Sequence, residues 1–470
     1  MTSPIGLEVP AAPAGQVAKH SALLAVSAGM VGVLSYLCTL LMAHLLPPEQ
    51  YTQYAAAQML VGIVGIVAHA LVPLPLAALV RRHARGTGGR RDGMAFAVLV
   101  SVAAGLVAGL LTGGITAAFA PWNVAVATGI GSFVLFTVAP AQGWLQGELR
   151  FTRYAVASIL EVTLRVAFSA VAVLVGWGPA GALIGFAVGG LVLVAGPLQM
   201  LRDVSWHPRV LREGVRWAET GDIALVQFVV SVLVGADVVL VALLGSGTAA
   251  EAGFQALATL AKGPVYVASG TVLVAFPLLR AGAPRMLTDA LAPALHSFEA
   301  LALVAAVVLA TVPTPLVMLF LPDKYLGSTV LLPVLAAAGL GYGAVTVLAT
   351  VLLALRMTRR TYIALVAATV LLSAGLGVGW VLGGVAGLAT GAAAGALTAT
   401  LVLALLTAPA LPAGTLGSTA RTVLVAAVLL VVLLLTAHLL VLWLICAAVG
   451  GLLALRPDLV RGLLHRRPRR

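Results

Sequence analysis

Charged residues are scarce in this sequence: they make up 9% of its 470 residues, whereas 61% are hydrophobic. A soluble globular domain carries about a quarter charged residues, so the composition excludes a soluble enzyme. An intrinsically disordered chain combines low hydrophobicity with high net charge, so disorder is excluded as well. The class that remains is a polytopic membrane protein of the all-α type.

Cysteine is almost absent too. The two cysteines, Cys38 and Cys446, each lie inside an apolar stretch, and they form neither a disulfide framework nor a metal-ligand spacing. Long loops are also missing on the predicted outer side. The longest there, residues 245–253 and 322–328, are too short to fold into a catalytic domain. We therefore expect no cofactor, no metal site and no enzymatic activity.

Apolar stretches long enough to cross a membrane are abundant. A helix needs about 20 apolar residues to span the hydrocarbon core, and such stretches can be marked between charged, Pro-rich or Gly-rich breaks. Fourteen spans result: 22–46, 55–80, 94–119, 124–147, 154–176, 182–201, 220–244, 254–279, 291–320, 329–355, 362–382, 385–406, 422–437 and 439–455. A single helix in place of the last two would be ~51 Å long, so a hairpin is predicted there.

The distribution of positive charge tests this count. The chain has 27 Lys and Arg against 15 Asp and Glu. With a cytoplasmic N-terminus, the inner connections collect all the basic residues except Lys324, which lies outside, and Arg165 and Lys262, which lie within spans. Basic residues concentrate on the cytoplasmic side of membrane proteins. We therefore predict fourteen helices in the cytoplasmic membrane with both termini inside, and no nucleic-acid partner.

A weak internal repeat, described below, predicts two pseudo-equivalent six-helix lobes, which two C-terminal helices follow. Between the lobes, Val210, Leu211 and Val215 recur at helical spacing beside arginines, which indicates an interfacial helix on the inner leaflet. The predicted regions are a cytoplasmic tail (1–21), an N-lobe with helices 1–6 (22–201), a cytoplasmic linker helix (202–219), a C-lobe with helices 7–12 (220–406), a cytoplasmic loop (407–421), helices 13–14 (422–455) and a basic cytoplasmic tail (456–470). Close packing around the turn between spans 11 and 12 is predicted by a ladder of small residues, namely Gly379, Gly383, Gly387, Gly391 and Gly395.

Each lobe starts with a related pattern: a Leu pair, a short outer loop with a glutamate, an aromatic residue and a small-residue helix. The first segment, Leu45–Leu60 (LLPPEQYTQYAAAQML), resembles the segment after the first helix in the Wzx-type polysaccharide exporters or lipid-linked oligosaccharide flippases. The second, Val234–Pro277, resembles the start of that family's second lobe, with its buried Asp, short Gly loop, aromatic residue, basic residue and closing Phe-Pro. One departure is that Tyr51 and Tyr54 are separated by Thr-Gln, without the usual glycine.

This resemblance implies a function. The family belongs to the multidrug/oligosaccharidyl-lipid/polysaccharide (MOP) exporter superfamily, and its bacterial members serve cell-surface polysaccharide biosynthesis. The resemblance implies that the chain flips a polyprenyl-pyrophosphate-linked oligosaccharide, or a related anionic glycolipid, across the cytoplasmic membrane by alternating access. The implied partners are the lipid-linked glycan, membrane lipids, a coupling proton or cation and glycan-assembly enzymes of the cell envelope.

Three other functions are open at this point. A MATE-like drug/cation antiporter is a related alternative, although span 1 has no carboxylate between Lys19 and Glu49, where such antiporters often carry one. A membrane glycosyltransferase or polymerase needs a catalytic acid/base or phosphate-binding cluster at the membrane surface, and the short outer loops supply none. A scaffold or immunity-type membrane protein also fits the composition.

Ionisable residues within spans are the candidate site residues, because their insertion is costly and they usually face the bundle interior or a wet cavity. Glu161 and Arg165 are four residues apart and therefore share a helix face. Asp237 and Lys262 lie at similar depth on the two helices of a predicted hairpin, which suggests an ion pair. Glu299 lies nearer the predicted inner surface.

These residues have two interpretations. In the functional one, Arg165 and Lys262 bind the substrate's pyrophosphate, because cations bind phosphoryl oxygens strongly, and Glu161 belongs to the same substrate-binding site. Asp237 and Glu299 then bind a coupling proton or cation. In the structural interpretation, the two pairs neutralise themselves and lock helices together, and Glu299 only faces the inner vestibule.

Overall fold

The structure is a computed structural model that describes residues 14–82, 88–195, 200–201, 204, 214–268, 284–355, 357–411 and 415–455. Throughout these ranges the regular secondary structure is helical and no strand occurs. The beginning of the predicted N-terminal tail, most of the predicted linker helix, the inner half of span 8 and the predicted basic tail lie outside the described residues.

The helices follow one another with short connections. In chain order they are α1 (Ala14–Leu45), α2 (Pro48–Leu71), α3 (Pro73–Arg82), α4 (Gly88–Ala117), α5 (Trp122–Gly147), α6 (Phe151–Leu174), α7 (Gly178–Ala195), α8 (Gly214–Leu244), α9 (Ala249–Ala261), α10 (Pro284–Thr311), α11 (Thr314–Phe320), α12 (Leu332–Ala354), α13 (Thr358–Thr407), α14 (Thr415–Thr436) and α15 (Leu440–Leu455). Two 3-10 helices cover Asp323–Leu331 and Ala408–Ala410. A further helical stretch starts at residue 263 and is described to residue 268.

The described part of the chain contains nine helices that are long and apolar enough to cross a membrane, and three shorter apolar ones. One of the nine, α13, has 50 residues and comprises two spans, because its backbone leaves the helical conformation at Gly383 and Gly384. With α2 and α3 taken as one span and α9 as an interrupted one, the described helices match the fourteen predicted spans. The prediction of an all-α polytopic membrane protein is confirmed.

The two halves of α13 pack with their backbones in direct contact. A Cβ atom at Gly379 or Gly387 would overlap the carbonyl group of the other residue, and Gly375 and Gly391 form the same relation one turn further on. The predicted close packing is therefore present. Gly383 has a different role, because it lies with Gly384, which has a φ of +55°, in the turn itself.

Helix packing groups the chain much as the repeat predicts. On the N-terminal side, α4 packs on α5, α6 on α7, and α1 on α6. On the C-terminal side, α12 packs on α13 and α10, and the hairpin of α14 and α15 packs on α10. The two groups meet where α2 packs against α8 and α9. The largest apolar core cluster runs through this contact, so both groups share one buried core.

Several helices differ in extent from the predicted spans. Helix α2 begins at Pro48 instead of residue 55, so Tyr51 and Tyr54 lie on a helix and only a very short loop precedes them. Span 9, predicted over 291–320, is divided at Pro313, which lacks the N–H needed to continue the helix. Helix α8 begins at Gly214, so residues 214–219 of the predicted linker belong to it. The predicted C-terminal hairpin, with its turn after Thr436, is confirmed.

Candidate functional site

A charge cluster is centred on Glu161 and Arg165 of α6. It also includes Ser35 of α1 and Phe186 of α7, and we call these four residues the N-lobe cluster. Arg165 Nη1 is 3.5 Å from Glu161 Oε1. Arg165 Nη2 donates a hydrogen bond to Ser35 Oγ of α1 at 2.7 Å. The guanidinium carbon lies 4.6 Å from the centroid of the Phe186 ring on α7, within cation–π range. Three helices therefore hold the arginine in one orientation.

The cluster exists because α6 and α7 approach each other closely. Glu161 and Arg165 share a face of α6, and this face is turned toward Gly185 and Gly189 of α7. A Cβ atom at Gly189 would lie 2.6 Å from the Glu161 carbonyl oxygen and 3.1 Å from Arg165 Cβ. The glycine therefore provides the space that the charged turn of α6 occupies.

Further polar side chains extend the N-lobe cluster along α1 and α2. The Cys38 thiol is 3.8 Å from the Tyr54 hydroxyl group, and Arg165 is near enough to interact electrostatically with both. Gln58 of α2 donates to Thr39 Oγ1 at 3.0 Å. The interior of the N-terminal group of helices is therefore polar along α1, although the composition of this helix is mostly apolar.

The second charge cluster, here the C-lobe cluster, comprises Asp237, Lys262, Gln255 and Tyr342. Lys262 Nζ donates to Asp237 Oδ1 at 2.8 Å, and the two residues are 5% and 1% exposed. The predicted ion pair is thus present. The ammonium group lies 5.8 Å from the centroid of the Tyr342 ring on α12, and Gln255 Nε2 donates to the carbonyl oxygen of Val238 at 2.8 Å.

A helix break positions Lys262. Helix α9 ends at Ala261, the N–H of Lys262 bonds to the Thr259 carbonyl in a tightened last turn, and the chain becomes helical again at residue 263. Gly339 of α12 packs directly against the Ala261 carbonyl group, where a Cβ atom would overlap it. Interrupted helices in transporters often mark binding sites, because their ends present uncompensated backbone dipoles.

Glu299 belongs to neither cluster. It accepts a hydrogen bond from Thr419 Oγ1 of α14 at 2.8 Å, so it joins α10 to the C-terminal hairpin. Its second carboxylate oxygen is buried and has no hydrogen-bond partner within the described ranges.

The structure thus brings together Glu161 with Arg165 and Asp237 with Lys262, as the sequence predicts, but in two separate clusters on different helices. Four further residues complete these clusters and were not predicted: Ser35, Phe186, Gln255 and Tyr342. No sequence signal marks them, because a serine or an aromatic residue within a span is ordinary. Only the rotation of each helix about its axis brings them to the charges.

The connections α1–α2 and α8–α9 and the 3-10 helix Asp323–Leu331 form one end of the molecule, which the charge distribution predicts to be outside; we call it the outer end. Lys324 Nζ donates to the Leu46 carbonyl oxygen at 2.7 Å. The rings of Tyr51 and Tyr325 have centroids 6.0 Å apart. Both tyrosines are fully buried, so the two groups of helices are in tight contact here.

Glu251 stabilises the same end. Its carboxylate accepts hydrogen bonds from the backbone N–H groups of Ser246, Gly247 and Thr248, and Thr248 caps α9 in return. This is a capping box, which satisfies the N–H groups that a helix leaves unpaired at its start. Glu49 also lies in the first turn of its helix, α2, as the repeat predicts. No capping box forms there, because Pro47 and Pro48 occupy the positions of the capping residues.

Comparison with known proteins identifies the fold. No protein-family model and no curated protein matches the sequence. The structure is similar to that of the lipid II flippase MurJ in an inward closed conformation, with a TM-score of 0.70 and 15% identity, over 94% of this chain and 100% of that chain. It is also similar to an inward-facing multidrug resistance MATE family transporter of the MOP superfamily, with a TM-score of 0.61 and 15% identity, over 86% and 98%.

The eukaryotic MATE transporter AtDTX14 is similar as well, with a TM-score of 0.59 and 15% identity, over 86% of this chain and 96% of that chain. At such identities the likeness shows the fold alone, since one fold hosts many functions. The chain therefore has the fold of MOP-superfamily transporters.

Proposed function

We propose that this chain is a membrane transporter that flips an anionic glycolipid, such as a polyprenyl-pyrophosphate-linked oligosaccharide, across the cytoplasmic membrane by alternating access. The observation that carries the proposal is the burial of Arg165 and its long distance to its carboxylate neighbour. It lies near the middle of α6, its side chain is 12% exposed, and its carboxylate neighbour is 3.5 Å away. The pairing is loose, so the guanidinium group keeps capacity for another anion.

The geometry of a guanidinium group suits a pyrophosphate. Its N–H donors bind two phosphoryl oxygens at once, and such charge-assisted bonds are about twice as strong as neutral ones. Ser35 and Phe186 hold the group in place before substrate arrives, which lowers the ordering cost of binding. Glu161 neutralises the arginine when no substrate is bound, and we assign it the role of a competing anion that the phosphate displaces.

Lys262 is the weaker candidate for substrate contact. It is almost fully buried and its charge is neutralised by Asp237 at 2.8 Å. In the proposed cycle it contacts the headgroup only after the lobes separate. We assign Asp237 and Glu299 to ion coupling, since both are carboxylates within the described spans.

The fold is compatible with a flippase as well as with an antiporter. The MurJ structure matches 94% of this chain and the two MATE structures match 86% each. The larger match is in keeping with the appended hairpin of α14 and α15, which packs on α10 beside the C-terminal group of helices. The Wzx-type substrate class remains a proposal that rests on Leu45–Leu60, Val234–Pro277 and Arg165.

A MATE-like drug/cation antiporter is the second candidate, because MATE transporters share the fold. The polar groups of α1 argue against it. Between Ser27 and Leu45 this helix presents hydroxyl, thiol and imidazole groups but no carboxylate for an organic cation. The nearest cluster charge, Arg165, repels cations.

Reconstitution in liposomes tests the proposal. The purified chain is expected to move a fluorescent polyprenyl-pyrophosphate glycan between leaflets and to leave a cationic dye where it is. Arg165→Ala is expected to lower the flipping rate roughly 10- to 100-fold, the value of one or two charge-assisted hydrogen bonds. Arg165→Lys keeps the charge but loses the paired donors, so an intermediate rate is expected.

The matched control is Arg359→Ala, which removes an exposed arginine at the start of α13 and is expected to flip at the wild-type rate. An unchanged rate in Arg165→Ala, measured on folded and correctly inserted protein, would remove the arginine from the mechanism. Dye transport in the absence of glycolipid flipping would instead establish the antiporter.

A further inference from the structure

The C-lobe cluster has the composition of a monovalent-cation site. Asp237 supplies a carboxylate, and Gln255 is fully buried and has an amide oxygen with no hydrogen-bond partner among the described residues. The amide orientation is fixed, because Gln255 Nε2 donates to the Val238 carbonyl oxygen next to Asp237. The free oxygen acceptor is therefore a fixed feature of the cluster.

Backbone dipoles add to this acceptor set. Helix α9 ends at Ala261, and the last carbonyl groups of a helix lack intrahelical partners and carry a partial negative charge. Lys262 and Gln255 are seven residues apart on the same side of this helix. Lys262, the residue after the end of α9, thus contacts the Asp237 carboxylate and faces the Tyr342 ring, and the Gln255 amide binds the residue next to Asp237.

The C-lobe cluster already holds a cation, and the cation is covalently attached to the chain. Lys262 Nζ is 2.8 Å from Asp237 Oδ1 and 5.8 Å from the centroid of the Tyr342 ring. We propose that the Lys262 ammonium group is a tethered substitute for a free monovalent metal cation at the site formed by Asp237, Gln255 and the end of α9. The wild-type chain then needs no sodium there, and removal of the lysine side chain creates a sodium site.

Thermal unfolding of the purified full-length chain tests this. The melting temperature of Lys262→Ala is expected to rise by a few degrees with NaCl concentration and then to saturate, because a ligand that binds only the folded state stabilises it. Choline chloride keeps the ionic strength constant. The wild-type chain is expected to melt at the same temperature in both salts. Lys262→Met fills the space with an apolar side chain and is expected to show no sodium effect.

The double variant Asp237→Asn/Lys262→Ala is the specificity control and is expected to lose the sodium effect. The proposal is overturned if Lys262→Ala melts identically in both salts, or if the effect survives in the double variant. Should Lys262→Ala fail to fold in sodium, Lys262→Ser, which adds a hydroxyl ligand, takes its place with the same expectations. A sodium-dependent shift in the wild-type chain overturns the proposal whatever the variants do.

The inference rests on the proposed function and deepens it, because a tethered cation at Asp237 leaves a proton, and not sodium, as the ion that this carboxylate couples to transport. Its consequence for transport is that wild-type flipping proceeds at the same rate in sodium-free buffer. The two proposals fail separately. The melting experiment requires no transport, so an inactive chain with the expected sodium response would refute only the flippase assignment.

Discussion

Leu149 adopts a backbone conformation that is costly for its side chain. It lies between α5 and α6 with a φ of +57°, in the left-handed region. The N–H groups of Leu149 and Arg150 bond back to carbonyl groups of the last turn of α5, which is the usual way to end a helix with glycine in this place. An ion pair between Arg90 and Glu148 holds the same turn. The leucine is 54% exposed, so little packing compensates for its conformation.

Replacing this residue should therefore stabilise the chain. A Cβ atom costs roughly 1–2 kcal/mol in a left-handed conformation, and glycine returns part of that gain through its more flexible unfolded state. Leu149→Gly is expected to raise the free energy of unfolding by up to about 1 kcal/mol, measured by denaturant unfolding in detergent. Leu149→Ala keeps the Cβ atom and serves as the control. A stability gain in the alanine variant equal to that in glycine would contradict the argument from φ.

The buried ion pairs differ from the charges in the connections in what their removal is expected to cost. The connections predicted to be inside carry most of the 27 basic residues, and their predicted effect is on the orientation of the chain. Arg165 and Lys262 are the two basic residues that fall within the spans predicted from the sequence, and each has a carboxylate neighbour in the structure. Removing one partner of a buried pair leaves the other charge uncompensated. This is why the experiments on these residues need charge-conserving or double variants.

The contact between α6 and α7 determines the geometry of the N-lobe cluster. Gly189 allows the two backbones to approach at the turn that carries Glu161 and Arg165. Small residues at helix contacts have this role in membranes, where close packing contributes much of the association energy. The orientation of Arg165 toward Ser35 and Phe186 therefore depends on a residue that carries no charge.

Gly189→Ala tests this dependence. Its methyl group would meet the Glu161 carbonyl oxygen at 2.6 Å, so α6 must move. The expected cost is about 1–3 kcal/mol of unfolding free energy, typical of overpacked sites, together with slower glycolipid flipping. The control is Gly114→Ala in α4, where an added Cβ atom meets nothing within 4 Å. The control should be neutral or slightly more stable, and equal losses in both variants would count against the role of Gly189.

The kink in α13 shows how one element combines two spans. The glycine ladder was predicted from the sequence, because glycines at four-residue spacing line one face of a helix and favour close backbone approach. The different roles of the individual glycines were not predicted. Gly379 and Gly387 provide backbone contact, whereas Gly383 and Gly384 form the turn, where nothing lies within 4 Å of an added Cβ atom.

The whole molecule is held closed at its outer end. Lys324 bonds to the Leu46 carbonyl oxygen, and Tyr51 meets Tyr325 across the two groups of helices. The proposed alternating-access cycle requires this end to open while the other closes. In that cycle the hydrogen bond of Lys324 would contribute to the energy difference between the two conformations.

Lys324→Met should shift the conformational equilibrium toward an open outer end. A charged hydrogen bond is worth about 1.5–3 kcal/mol, so the population of the open form is expected to rise about tenfold or more. The measurement is the rate at which a membrane-impermeant maleimide labels the thiol introduced by Leu46→Cys, in a chain without Cys38 and Cys446. Leu46 is 2% exposed in the closed form, so labelling reports opening.

Lys324→Arg is the matched control, because it keeps a charged donor and is expected to label at a rate close to wild type. If Lys324→Met labels no faster than the arginine variant, the lysine does not hold the outer end closed. Labelling from the opposite side of sealed vesicles also tests the predicted orientation of the chain.

Hydrophobicity and charge alone predicted the membrane class, the fourteen spans and the C-terminal hairpin. They did so because the cost of burying charge and the length of a helix act on each segment separately, without reference to its neighbours. The two ion pairs were predicted for a related reason. Glu161 and Arg165 share one helix, and Asp237 and Lys262 lie on adjacent helices of a short hairpin, so chain connectivity limits their separation.

The remaining partners depend on how helices rotate and pack. Ser35 meets Arg165 across 130 residues of sequence, and Lys324 meets Leu46 across 278. The starts of α2 and α8 and the division at Pro313 likewise differ from the prediction, since hydropathy does not locate caps and breaks. Apolar side chains are equally soluble in lipid on any face of a helix, so hydrophobicity does not determine which face turns inward. Backbone contact at glycines and hydrogen bonds to buried polar groups make that choice, and both exist only in the folded chain.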